Sequence, residues 1–305
     1  MLPIALMLLI CIGMPLGYAW RLWRLDEPSR VGCLAVAAEA ICIVALVCVV
    51  GRWDIAGYYT RFVLGAIFLG TLVIALRRHA ARPWRQPGTR PLWRTHFPTL
   101  MSAALIGAVL VYAVAGSRPL PKSHEVAFPL RGERFMIGQG GANRLLNHHA
   151  GHAAQRHAVD ITAINDGGFR ATGLRPTKLE RYVILGANVV SPCTGTVAAS
   201  KDGHPDLMPP ESDEENPAGN HVVIACEGIR IEVAHLQRGS VAVNAGDTIG
   251  ACRRIGRVGN SGNTTEPHLH VHAIDARTGQ GVPLTFGGRT PVRNGLFGGS
   301  ACPGA

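Results

Sequence analysis

Four long apolar runs crowd the first part of this chain, roughly residues 2–20, 31–51, 58–76 and 100–115. Each approaches the ~20 residues that an α-helix needs to cross ~30 Å of hydrocarbon. As soluble helices they would need polar faces that these runs do not provide. A cleavable leader is the rival reading of the first run. That run has no basic segment before it and more apolar runs follow, so it is read as a retained helix.

Arginines set the expected orientation. Arg21, Arg24 and Arg30 follow the first run, and Arg77, Arg78, Arg82, Arg85, Arg90 and Arg94 follow the third. The link between the second and third runs offers only Arg52 and Arg61 near its ends. Short Lys/Arg-rich links stay in the cytoplasm. Both ends of the helical region, and everything beyond it, are therefore expected outside the cytoplasmic membrane. The expected division is a transmembrane helical region, 1–117, and an extracytoplasmic domain, 118–305.

The net charge of +10 raises the question of nucleic acid. Residues 1–117 hold 11 Lys+Arg against 4 Asp+Glu, and residues 118–305 hold 19 against 16. Most of the excess thus lies in the membrane links, and no basic stripe with interleaved aromatics appears beyond them. No nucleic acid is expected as a partner; the lipid bilayer is. Cys11, Cys33, Cys42 and Cys48 fall in or beside apolar runs, where cysteine acts as a small hydrophobe. Cys193, Cys226, Cys252 and Cys302 fall in the external half, where disulfides are permitted. Cys193 with Cys226 is the favoured pairing, because both are predicted on strands of one sheet.

After the Pro-containing linker 116–123, short Val/Ile/Ala-rich runs recur between Gly/Pro/Asn/Asp turns: "YVILGANVVSP", "GTVAAS", "NHVVIAC", "IRIEVAHL" and "LHVHAI". This spacing predicts an antiparallel all-β domain. The acidic, Pro-rich segment 201–220 reads as a solvated insertion, since it lacks the regular spacing of a calcium loop.

The candidate chemistry lies in "GNSGNTTEPHLHVH", residues 259–272. On a strand, residues i and i+2 share a face, so His268 and His270 project together. His235 in "VAHLQ" and Asp160 in "HAVDIT" lie on other predicted strands. Histidines with a carboxylate form a known zinc set, and a catalytic zinc site keeps three protein ligands and one open position. A histidine that is not a ligand can take and return a proton. Each piece alone is weak, since a lone strand histidine is usually a surface or core residue.

In combination they are specific. "VAHLQRGSVAVNAGDTIG" followed by "GRVGNSGNTTEPHLHVH" resembles the core of the lysostaphin/LytM-type zinc metallopeptidases, and "VVSPCTGTV" resembles that family's strand-turn-strand. The resemblance covers roughly residues 130–290. It implies an all-β antiparallel peptidase domain, a Zn²⁺ cofactor and peptidoglycan peptides as substrate. His270 resembles the ligating member of the H-x-H pair, His268 its catalytic member, His235 the other catalytic histidine, and Asp160 the aspartate ligand. The family's first motif normally reads His-x-x-x-Asp, but Arg156 stands four before Asp160. Arginine cannot ligate zinc. His157 is sent by strand parity to the face opposite Asp160. In "NRLLNHHAGHAAQRHAVD" the Asn-x-His resembles a divergent branch of the family, which selects His149 as the third ligand, with His148 and His152 as alternatives. His272 continues the alternation but has no role in the family pattern. Arg156 also keeps a second reading open: an inactive LytM-type domain that regulates other wall hydrolases.

Overall fold

The computed structural model describes residues 2–85, 92–132 and 134–299. The chain divides into two compact units, Met1–Ala115 and Gly116–Ala305.

In the first unit, four helices are long and apolar enough to cross a membrane: Ile4–Trp23, Arg30–Val50, Thr60–His79 and Phe97–Ala115. Ser29 caps the second, its hydroxyl accepting from the Gly32 amide at 3.2 Å. The first and third helices run three residues past the apolar runs read from sequence, taking in Arg21, Arg77, Arg78 and His79. Cations in a last turn face the negative end of the helix dipole, so basic residues prolong these helices rather than ending them. Arg21 reaches the buried Glu39 carboxylate at 2.5 Å, which turns that carboxylate to the bundle interior.

The two arginine-rich links lie together. Arg82 pairs with Asp26 at 2.5 Å and donates to the Glu27 carbonyl at 2.7 Å, and Arg78 reaches the Trp23 carbonyl at 3.0 Å. Both links therefore sit at one end of the bundle; Arg90 lies outside the described residues. Leu9, Phe62, Leu105 and Val111 are exposed on the outer helix surfaces. A helix that is apolar all round suits protein or lipid surroundings, not water.

The described residues of the second unit contain no α-helix, only two 3₁₀ turns, His148–Gly151 and Leu179–Arg181. Their strands are β1 (His124–Val126), β2 (Phe135–Gln139), β3 (Val159–Ala163), β4 (Asn188–Val190), β5 (Gly195–Lys201), β6 (Asn220–Ala225), β7 (Ile229–Leu236), β8 (Thr248–Ile249), β9 (Arg254–Arg257), β10 (Leu269–Asp275), β11 (Gly281–Val282), β12 (Leu284–Phe286) and β13 (Leu296–Phe297). The main sheet runs β13-β2-β3-β10-β7-β6-β5-β8, with β11 on β10. Its pairings are antiparallel throughout.

Strand parity divides the residues of this sheet between its faces. Val159 and Ile161 of β3, Ile231 and Val233 of β7, and Leu269 and Val271 of β10 enter the core. There they meet Leu130, Ile184, Val189, Ile255 and Val258. Asp160, Glu232, Ala234, His270 and His272 consequently share the opposite face.

Cys193 and Cys226 are disulfide-bonded, with Cα atoms 6.2 Å apart. They flank β5 and β6 rather than lying on them. Cys252 is disulfide-bonded as well, and Cys302 lies outside the described residues. The Cys193–Cys226 bond spans a separation of 33 residues, which in the chain-entropy model stabilises by about 2–4 kcal/mol. The double variant Cys193→Ala/Cys226→Ala should therefore melt about 4–16 °C lower. Circular dichroism of the full-length chain in detergent measures this through the β-sheet band.

Segment 201–220 is mostly exposed, as its composition suggests, but two of its carboxylates are tied down. Asp202 accepts from the amides of Gly239 at 2.8 Å and Val241 at 3.2 Å. Asp206 accepts from the amides of Asn260 at 2.7 Å and Arg238 at 3.0 Å. Both carboxylates satisfy amides of distant turns, so the segment is fastened to the sheet's end. That role depends on tertiary placement and leaves no spacing signature.

Candidate metal centre

The centre is built on the middle of the sheet. β3 and β10 pair so that Asp160 lies directly opposite His270, and His270 Nδ1 is 2.9 Å from Asp160 Oδ1. His149 comes from the 3₁₀ turn before β3, where Asn147 fixes it. Asn147 is fully buried and donates to the carbonyls of Gly141 at 3.2 Å and Ala158 at 2.9 Å. Its own side-chain oxygen accepts from the His149 amide at 3.1 Å. His149 Nε2 thereby reaches both Asp160 carboxylate oxygens at 3.1 Å. His268 Nε2 lies 3.7 Å from the same carboxylate.

Burial alone would raise the Asp160 pKa. The nearby His268 and the hydrogen bonds from His149 and His270 outweigh it and hold the carboxyl well below its usual range. Asp160 is thus a buried carboxylate kept ionised by imidazoles. One carboxylate oxygen and two imidazole nitrogens converging from separate elements are the donor chemistry of a zinc site. His148, its ring tilted 38° to that of His149 with centroids 3.8 Å apart, offers a further nitrogen. Donor atoms of His148, His149 and Asp160 all lie within 4.8 Å of one another. His148 is exposed in its turn, whereas His270 is buried on a central strand. His152 is exposed, as is Arg156, and the buried Nδ1 of His157 has no hydrogen-bond partner.

The other two histidines are held differently. His235 ends β7 in the left-handed region, with φ 62°. Its amide donates to the Ala218 carbonyl at 3.1 Å and its carbonyl accepts from Gly259 at 2.9 Å. A β-branched-free but non-glycine residue held at positive φ is a strained backbone that its surroundings must fix. His235 Nδ1 donates to the Ser261 carbonyl at 2.9 Å, leaving Nε2 as an acceptor. Burial, then the neighbouring His268 and His270, push the His235 pKa well below its usual value, so the ring is neutral.

His268 repeats the arrangement. Its Nδ1 donates to the Glu266 carbonyl at 2.9 Å, which again frees Nε2. Glu266 is itself anchored by the buried Arg170 guanidinium, at 2.9 Å and 2.6 Å. The His235 and His268 rings are 4.8 Å apart. An open cavity of about 900 Å³ borders this cluster, lined by His152, Ala153, Pro217, Ala218, Glu232 and Asn263 among others.

Residues 181–282 match the model of peptidase family M23. The second unit is an M23 peptidase domain. Solved structures similar to the chain include lysostaphin from Staphylococcus simulans, 20% identical, covering 50% of this chain and 47% of that one with a TM-score of 0.29. A zinc containing peptidase from Vibrio cholerae is 19% identical, covering 41% and 48% with a TM-score of 0.26. The chain thus spans about half the length of these relatives. No curated protein matches it. The M23 match begins at residue 181, so His149 and Asp160 lie before it.

Two features of the site escape the sequence pattern. The Arg170–Glu266 pair is a positioning group without a local motif. His272, given no role by resemblance, is buried, and its Nδ1 lies 3.1 Å from His270 Nε2. Burial and the neighbouring His270 push the His272 pKa down to about 3, so this ring is neutral too.

Proposed function

We propose that this chain is a membrane-anchored zinc endopeptidase that hydrolyses amide bonds of peptidoglycan cross-link peptides outside the cytoplasmic membrane. The observation that carries this reading is the convergence of His149 Nε2 and His270 Nδ1 on the buried Asp160 carboxylate. Two more imidazoles stand beside it with Nδ1 tied to backbone carbonyls. A decayed site would have lost several of these groups.

His149, Asp160 and His270 would hold the ion. Zinc, when bound, supplies a water of pKa lowered to about 7 and polarises the scissile carbonyl. The chain's own residues do the proton work. His235 offers an unprotonated Nε2 that orients an attacking water and accepts its proton. His268, across 4.8 Å, offers a second unprotonated Nε2, and the histidine that has taken the water's proton returns it to the departing amine. The cavity wall at Pro217, Ala218 and Asn263 admits an extended peptide beside this pair.

Placement outside the membrane is supported by the two arginine-rich links meeting at one end of the bundle. An even number of helices then carries the β unit to the opposite side. The Cys193–Cys226 bond suits an oxidising compartment.

The full-length chain in detergent, with one equivalent of Zn²⁺, is expected to release new amino termini from isolated peptidoglycan. Zinc-loaded protein that leaves peptidoglycan intact overturns the peptidase reading. A chain that binds no zinc favours the regulator of other wall hydrolases. His270→Ala should weaken zinc binding by more than the ~100-fold typical of an outer-shell loss, while His148→Ala leaves it unchanged. Chelator competition measures both, and the reverse order would make His148 the ligand.

A further inference from the structure

His270 has two ring nitrogens, and the sheet supplies a partner for each. Nδ1 faces Asp160 Oδ1 at 2.9 Å, and Nε2 faces His272 Nδ1 at 3.1 Å. His272 stands two residues further along β10, on the same face, and is 8% exposed. Its ring centroid lies 5.3 Å from that of His270, with the planes at 62°. The strand geometry that brings His270 to the centre therefore also places an imidazole behind it, away from Asp160.

We propose that His272 is a positioning residue for zinc binding, setting the tautomer and rotation of His270 through the Nε2–Nδ1 hydrogen bond. The inference rests on the reading of His270 as a ligand through Nδ1. For Nδ1 to carry a free lone pair, the His270 proton must sit on Nε2, and Nε2–H then needs an acceptor. In the buried site His272 Nδ1 is that acceptor. A ligating histidine commonly donates its second N–H to a carboxylate, a carbonyl or water. A neutral imidazole adds no charge to the centre, and it also adapts. Without zinc, His270 Nδ1–H donates to Asp160 and its Nε2 accepts from His272 Nδ1–H. With zinc, the His270 Nδ1 proton leaves to solvent, the shared proton moves onto His270 Nε2, and His272 takes a proton from solvent at its own Nε2, so neither ring has to turn. The pair keeps one hydrogen bond in both states, so His270 is held in its ligating rotamer before the ion arrives.

A packing role and a hydrogen-bonding role for His272 predict opposite rankings of two variants. Asn places a side-chain oxygen or nitrogen near the position of His Nδ1, whereas Phe keeps the ring volume and has no polar atom. Zinc affinity of the full-length chain in detergent is measured by chelator competition, alongside the visible spectrum of the Co²⁺-substituted protein. His272→Phe should bind zinc about 10–100-fold more weakly than wild type, with an altered Co²⁺ spectrum. His272→Asn should stay close to wild type in both. If His272→Phe does not fold, His272→Leu replaces it with the same expected loss. Equal zinc affinity for wild type and the Phe or Leu variant, or a loss in His272→Asn larger than in His272→Phe, overturns the inference while leaving His270 as ligand. A wild-type chain without zinc affinity overturns the parent reading itself, and with it the role of His272.

Discussion

His235→Ala and His268→Ala should each lower kcat by about 10²–10⁴-fold and still bind one equivalent of zinc. The split follows from where their nitrogens point. Each commits Nδ1–H to a backbone carbonyl, Ser261 for one and Glu266 for the other. Each leaves only Nε2 uncommitted; His235 lines the cavity, and His268 Nε2 lies 3.7 Å from the Asp160 carboxylate, beyond the 2.9–3.1 Å of His270 and His149. Asp160→Asn should behave in the opposite way, losing zinc and activity together, because the charge that draws two imidazoles inward is gone. Equilibrium dialysis against Zn²⁺, run beside peptidoglycan turnover, distinguishes the two patterns. Loss of zinc in His235→Ala would place His235 among the ligands and break the assignment of roles.

How much of this was legible beforehand depends on the range of the signal. Runs of about 20 apolar residues and the alternation in "LHVHAI" are local patterns, and four helices and a β-strand stand where they were read. The helices run past the apolar stretches where arginines extend the last turn, because hydropathy counts a snorkelling cation as a break. Parity set His157 apart from Asp160, but His157 lies in the turn before β3, outside the strand, where it borders a separate pocket with Leu120 and Pro283. Parity also put His268, His270 and His272 on one face, but periodicity could not rank them. Their ranking depends on what lies across the sheet. Asp160 meets His270 because β3 pairs with β10 in that register, and no window of sequence contains both. The anchoring of the acidic segment is hidden for the same reason. Asp202 and Asp206 look like solvated charge until the turns at 238–241 and 260 fold onto them.

Gly262→Ala should destabilise the β unit by about 3 kcal/mol or more and reduce turnover beyond what the lost stability explains. Gly262 adopts φ 89°, where a side chain is strained, and an added Cβ would lie 2.5 Å from the Gly219 nitrogen and 2.7 Å from the Pro217 carbonyl oxygen. The strain is reciprocal: a Cβ on Gly219, at φ 55°, would lie 2.4 Å from the Ser261 carbonyl. Two glycine backbones thus pack directly on each other where the 201–220 segment meets the turn before β10. Both sides of that contact hold His235, since Ala218 accepts its amide and Ser261 accepts its Nδ1–H. Pushing the two backbones apart moves both acceptors, so Nε2 loses its aim while His149, Asp160 and His270 keep theirs. Zinc binding should consequently survive in whatever fraction folds. Gly288→Ala is the control: its φ is 70°, but nothing stands within 4 Å of the added Cβ, so strain alone costs about 1 kcal/mol. Denaturant melts of the full-length chain compare the two, with kcat taken where both are fully folded. A Gly262→Ala chain as stable and as active as Gly288→Ala would mean that something other than this glycine contact positions His235.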